Sequence, residues 1–216
     1  MSRFGLGFVS GVIPPSLEFL SNAGNASGLT TYTFSSVPFG AEDATRFIVA
    51  GFVYRTANSG SIFSSVSIGG QPPGAAIVNQ LHGDGFGRTA WFGASVPSGA
   101  SGTISCTLNG AALRACMVAY SFKNLSSTTA TDTASGTPSL SIDVAAGGFA
   151  IGMGLYAPST GTSVWTGLTK DVDASVGGSQ YTSASAAFPA GATGQSVGLT
   201  VAGSSPGATV ALASFR

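Results

Sequence analysis

The chain has 216 residues, eight basic and eight acidic, with zero net charge; charged residues make up 7% and hydrophobic residues 44%. Globular domains carry about 25% charge, so the deficit, filled by Gly, Ser, Thr and Ala, describes a neutral surface with little electrostatic protection against association. Its scattered basic residues argue against a nucleic-acid face, which needs clustered cations, and no apolar run approaches the roughly 18 residues of a membrane-spanning helix.

Residues 1–26 read as an N-terminal apolar arm. Phe4, Leu6, Phe8, Val9, Val12 and Ile13 are interrupted by Gly5, Gly7 and Gly11 and closed by Pro14-Pro15, a pattern that opposes a helix. The short run Leu17–Leu20 and a loop over 21–27 follow. The six apolar side chains are the expected assembly contact, since burying each against a neighbouring subunit is worth about 1.5–3 kcal/mol. A signal peptide is the competing reading, disfavoured by the Gly and Pro content and by the lack of a clean small-x-small cleavage site.

From Thr30 onward the pattern is β. Thr31–Phe34 alternates, and Phe47–Tyr54 is almost wholly apolar, as a strand buried on two faces should be. Ser65–Ile68 stops at Gly69-Gly70, Ala76–Val78 is short, and Thr89–Val96 carries Trp91. Thr103–Leu108 and Ala115–Phe122 read as a closing hairpin turning at Asn109–Leu113, and the Ser/Thr-rich stretch 123–137 reads as a linker. The second half then repeats the scheme: Ser139–Val144, Phe149–Tyr156, Ser163–Trp165, Tyr181–Phe188 and Ala208–Phe215.

The repeat is clearest at the turns. Val96-Pro-Ser-Gly-Ala-Ser-Gly102 returns as Phe188-Pro-Ala-Gly-Ala-Thr-Gly194 at an offset of 92 residues. Proline fixes φ and glycine admits φ > 0, so each copy is a turn between apolar runs. Phe47–Tyr54 recurs at an offset of 102 as Phe149–Tyr156, and Ala115–Phe122 at 93 as Ala208–Phe215. These spacings predict an all-β chain of β-sandwich or jelly-roll type, built from two internally repeated antiparallel units over 27–126 and 127–216. Two arrangements are open: sandwiches in tandem, or halves merged into one larger sandwich.

Chemistry-bearing groups are sparse. Cys106 and Cys116 would stand opposite each other in the expected hairpin, where a cross-strand disulfide is feasible; two buried free thiols are the competing reading. The single histidine, His82, has Asp84 two residues on, but no Gly-x-Ser-x-Gly elbow accompanies it. Asp171 and Asp173, like Glu42 and Asp43, read as solvated loop acids, since two carboxylates without further oxygen ligands do not define a calcium loop. Tyr54, Tyr156, Trp165, Phe86 and Tyr181 fall at expected strand ends or loops, where sandwich lectins stack sugars, so a host-surface glycan is one candidate ligand. No catalytic, metal or cofactor site is expected.

The opening Phe4–Phe8, the segment Gly40–Val49, Ser65–Gly70 and Val96–Thr107 together resemble a class of tailed-bacteriophage virion proteins. The resemblance implies a structural role in the particle: a capsid decoration (cement) protein, a vertex or head fibre, or a tail accessory. It brings no catalytic residues. The expected partners are copies of the chain itself, as a homotrimer held by apolar contact, and the major capsid or other virion proteins. The expected location is the virion, after synthesis in the bacterial host cytoplasm. A glycan-binding adhesin and, more remotely, a hydrolase are the alternatives.

Overall fold

The computed structural model describes residues 13–137, 139–156, 161–201 and 208–216. They form β1 (Ser16–Asn25), β2 (Leu29–Pro38), β3 (Phe47–Thr56), β4 (Phe63–Ile68), β5 (Val78–Leu81), β6 (Gly87–Ser95), β7 (Ser101–Lys123), β8 (Asp132–Gly136), β9 (Ser139–Val144), β10 (Gly148–Tyr156), β11 (Ser163–Thr166), β12 (Thr169–Val176), β13 (Ser179–Phe188), β14 (Ala192–Val201) and β15 (Thr209–Phe215). No helix occurs among the described residues, and all pairings are antiparallel.

The strands stack as four layers. The first half of β7 pairs with β2 and β4 in a three-stranded layer. Its second half lies in a five-stranded layer of order β1-β7-β3-β6-β5. The C-terminal half supplies a five-stranded sheet, β12-β13-β10-β15-β8, and a three-stranded sheet, β11-β14-β9. Three apolar cores separate the layers, and the middle one joins the halves: Phe47, Val49, Val53, Trp91, Val118, Tyr120 and Phe122 pack with Phe149, Ile151, Met153, Leu155, Ala211, Ala213 and Phe215. The arrangement is therefore two sandwiches fused back to back.

This layering accounts for the sequence pattern. In β3, Phe47, Val49 and Val53 face the middle core while Ile48, Ala50, Phe52 and Tyr54 face the outer one. A strand between two cores has no solvent face, so its apolar run is continuous; β2 borders one core and alternates Tyr32 and Phe34 inward with Thr31 and Thr33 outward.

Strand order recurs between the halves. β1-β7-β3-β6-β5 matches β8-β15-β10-β13-β12, and β2-β7-β4 matches β9-β14-β11. Register recurs as well: Phe47 stands opposite Phe122 and Ser95, and Phe149 stands opposite Phe215 and Ala187. Equivalent faces meet in the middle core, with β1 beside β12 and β5 beside β8, so an approximate two-fold axis along the strands relates the halves.

Several expectations need correction. β7 is one 23-residue strand, not a hairpin. Its Asn109-Gly110 pair lies where the strand passes from one layer to the other, and Ala112 pairs with both Leu29 and Thr56. Such corners are made by bends and bulges; the register shift beside Arg114 reverses which side chains point inward, so Cys106 faces one core and Cys116 the next. Residues 16–25 of the expected arm are an edge strand paired along β7, and the expected linker contains β8. Both escaped detection because edge strands bury little: neither contains a fully buried residue.

Trp91 is fully buried, and its Nε1 donates to the Ala211 carbonyl across the middle core at 3.0 Å. Gly51 makes room for the indole, since a Cβ there would lie 2.5 Å from Trp91 Cζ3 and 2.8 Å from Met153 Sδ. Trp91→Ala is expected to cost about 3–5 kcal/mol in equilibrium urea unfolding; a loss below about 1 kcal/mol would contradict the fused core.

Candidate functional site

Two side-chain constellations organise the loops at opposite ends of the β3 strand. At its start, Arg46 is completely buried. Its Nε donates to Val96 O (2.6 Å), Nη1 to the carbonyls of Phe39 (3.3 Å), Gly40 (3.0 Å) and Ala41 (3.1 Å), and Nη2 to those of Ser98 (2.8 Å) and Gly99 (2.7 Å). One guanidinium thus ties the Pro-x-Gly turn to the loop entering from β2, lying over the Phe39 ring. Glu42 and Asp43 are not simply solvated: Glu42 accepts from Gly99 N–H, and Asp43 from the N–H and Oγ1 of Thr45. Sequence reasoning passed over Arg46; the available signal was a lone arginine at the head of an apolar strand.

At the far end of β3, the loop between β5 and β6 holds His82 and Asp84. Asp84 accepts from Arg55 Nη1 through both oxygens (2.8 and 2.7 Å) and from Phe86 N–H (2.9 Å), and its Oδ1 lies 2.8 Å from His82 Nδ1. Partial burial would raise the Asp84 carboxyl, but the donors Phe86 N–H, Arg55 and His82 outweigh it and hold the group down at about 2. His82 is buried, and its Nε2 has no hydrogen-bond partner among the described residues. The imidazole of a hydrolytic triad needs a nucleophile on that nitrogen. Here the three residues act as an ionic clasp on a Gly-rich loop.

The remaining candidates fall elsewhere. Cys106 and Cys116 are free thiols ten residues apart on one extended strand and facing different cores, so the disulfide that the hairpin would have permitted does not form. Burial pushes the Cys106 thiol up to about 12 and raises Cys116 as well, which leaves neither a nucleophile. Asp171 and Asp173 lie in β12, not in a loop. Asp171 accepts from Tyr120 O–H at 2.7 Å across the middle core, and Asp173 accepts from Ser163 N–H, Lys170 and Gln180.

Tyr54, Tyr156, Trp165 and Tyr181 are buried, leaving Phe86 as the exposed member of the aromatic set expected to meet sugars. Their polar ends are absorbed internally: Tyr54 and Tyr156 donate to backbone carbonyls, and Trp165 to Thr182. Phe4, Leu6, Phe8, Val9 and Val12 lie outside the described residues, whereas Ile13 is 68% exposed. Among the described residues no group of three or more His, Cys, Asp or Glu is placed to hold a metal ion, and no helix could cross a membrane.

Comparison of the chain with protein-family models, curated proteins and solved structures gave no match.

Arg46→Met strands six carbonyls and is expected to cost on the order of 3 kcal/mol or more in thermal unfolding; a loss under about 1 kcal/mol would show the guanidinium to be dispensable. Asp84 titrates lower in the folded chain than its unfolded value of about 3.9, so its contribution is present above that pH and is lost as pH falls towards 2. Asp84→Asn should therefore be less stable than the native chain at pH 7, with the gap closing by pH 2. An equal gap at both pH values would contradict the clasp.

Proposed function

We propose that the chain is a structural subunit of a tailed-phage particle, a capsid decoration or vertex-fibre protein that works by protein–protein contact as a homo-oligomer, a trimer by preference. The observation that carries this reading is the edge at which the N-terminal segment joins the body. β1 begins at Ser16 as an edge strand on β7, and Ile13, just before it, is 68% exposed while the three cores are filled without it. Five more large apolar residues precede Ile13 in the sequence. A segment of this composition gains most where a second surface covers it. The low charge supports the same reading, because subunits covered by partners need little electrostatic protection.

The reading also takes the two sandwiches as descendants of one duplicated unit, supported by their shared strand order and register. The adhesin alternative loses its aromatic platform, since four of the five candidate rings are buried.

Truncation must stop before β1, so removing residues 1–13 is the informative deletion. It should leave the unfolding temperature nearly unchanged while abolishing oligomerisation or incorporation into particles, as read by sedimentation velocity and by co-purification with virions. The intact assembly should survive 1 M NaCl, where the Debye length is about 3 Å. A truncated chain that assembles like the full one would refute the reading.

A further inference from the structure

Charge is scarce in this chain yet unevenly placed. Glu18, Glu42, Asp43, Asp132 and Asp143 lie with Arg46, Lys123 and Arg216 at the end where β3 and β10 begin, whereas Arg55, Arg88 and Arg114 gather where β3 ends, with Asp84 close by. Two of these arginines stand directly opposite each other: Arg55 of β3 pairs in register with Arg114 of β7. Like charges in that relation repel, and both stems point into the mouth of the middle layer, in line with Val53 and Cys116.

Only one of the pair is neutralised. Arg55 binds Asp84, whereas Arg114 has no carboxylate partner among the described residues and makes one hydrogen bond, from Nε to Ser179 Oγ at 2.8 Å. Its guanidinium is held below its ordinary value by burial and then by the Arg55 charge. The head is nonetheless fixed. Gly177 and Gly178, both at positive φ (54° and 78°), form the two-residue turn between β12 and β13, and that turn lies against the arginine: a Cβ on Gly177 would stand 2.9 Å from Arg114 Cδ. Arg114 Nη1 and Nη2 and Arg55 Nη2 have no hydrogen-bond partner among the described residues. A repulsive pair held rigidly, with no internal compensation for one member, breaks a local rule of sheet design, and such breaks are expected at functional positions.

We propose that the Arg55–Arg114 pair is a binding site for an oxyanion, a phosphate or carboxylate group, that accepts the free Nη donors of both guanidinium groups. Forked guanidinium donors match either group.

The test uses the full chain at pH 7, with sodium phosphate, sodium acetate and sodium chloride compared at equal ionic strength in thermal unfolding. Phosphate, acetate or both should raise the unfolding temperature above chloride by about 2 °C or more at saturation, and which of them does so tells the phosphate source from the carboxylate one. Arg114→Gln should abolish the rise. Arg88→Gln should keep it, because Arg88 is bonded to Ser61 and Asn79 on the other face of the sheet. No rise with either anion overturns the proposal, and so does a rise that survives in Arg114→Gln, which would be general salting-out. Should Arg114→Gln fail to fold, Arg114→Lys keeps the charge without the fork and should weaken binding of the stabilising anion about tenfold in calorimetry; unchanged affinity would equally overturn the site.

Discussion

The second half of β7, with β3, β10 and β15, has no face left for water, and the rest of the architecture follows from that constraint. Each lies in a five-stranded sheet with its own sandwich core on one side and the shared middle core on the other. A layer buried on both faces admits only apolar and small residues, which is why β3, β10 and β15 read as near-continuous runs of them. Several polar atoms that enter the middle layer are paired across it: Trp91 with the Ala211 carbonyl, Tyr120 with Asp171 and Ser183, and Tyr181 with Asn22; the buried Thr89 Oγ1, on the Trp91 face of β6, has no partner among the described residues. A buried donor without an acceptor costs more than a made bond returns, so these contacts fix how the two sandwiches are oriented on each other.

The approximate two-fold relation is broken where the packing requires it. Trp91 and Tyr120 on one side occupy positions equivalent to Ser183 and Ala213 on the other. Large rings from the first sandwich thus fill space that small residues of the second leave open, as close-packed interiors demand. The loops differ for the same reason. Arg46 binds six carbonyls in the first half, while at the equivalent place Gly148 packs close to the backbone oxygens of Ala145 and Phe215 and needs no side chain to fill the turn.

Much of this was legible in the residues. Continuous apolar runs located the strands buried on both faces, and the Pro-x-Gly turns located the strand ends. What was hidden had physical causes. Asn109-Gly110 reads as a hairpin turn, yet the same dipeptide serves a corner where β7 changes layer, and only long-range pairing with Leu29 and Thr56 decides between them. β1, β8 and β12 are edge strands whose side chains are half in water, so their sequences carry little period-two signal. Tyrosines at strand ends looked exposed because a sequence does not reveal that a second sheet covers them. The Arg55–Arg114 pair was invisible because its members are 59 positions apart and meet only through register.

The claim that one shared core makes a single folding unit of the two sandwiches is tested most directly by calorimetry on the full chain. Halves that depend on the middle layer should melt in one transition whose calorimetric and van't Hoff enthalpies agree. Two resolved transitions, with one sandwich surviving the loss of the other, would contradict it.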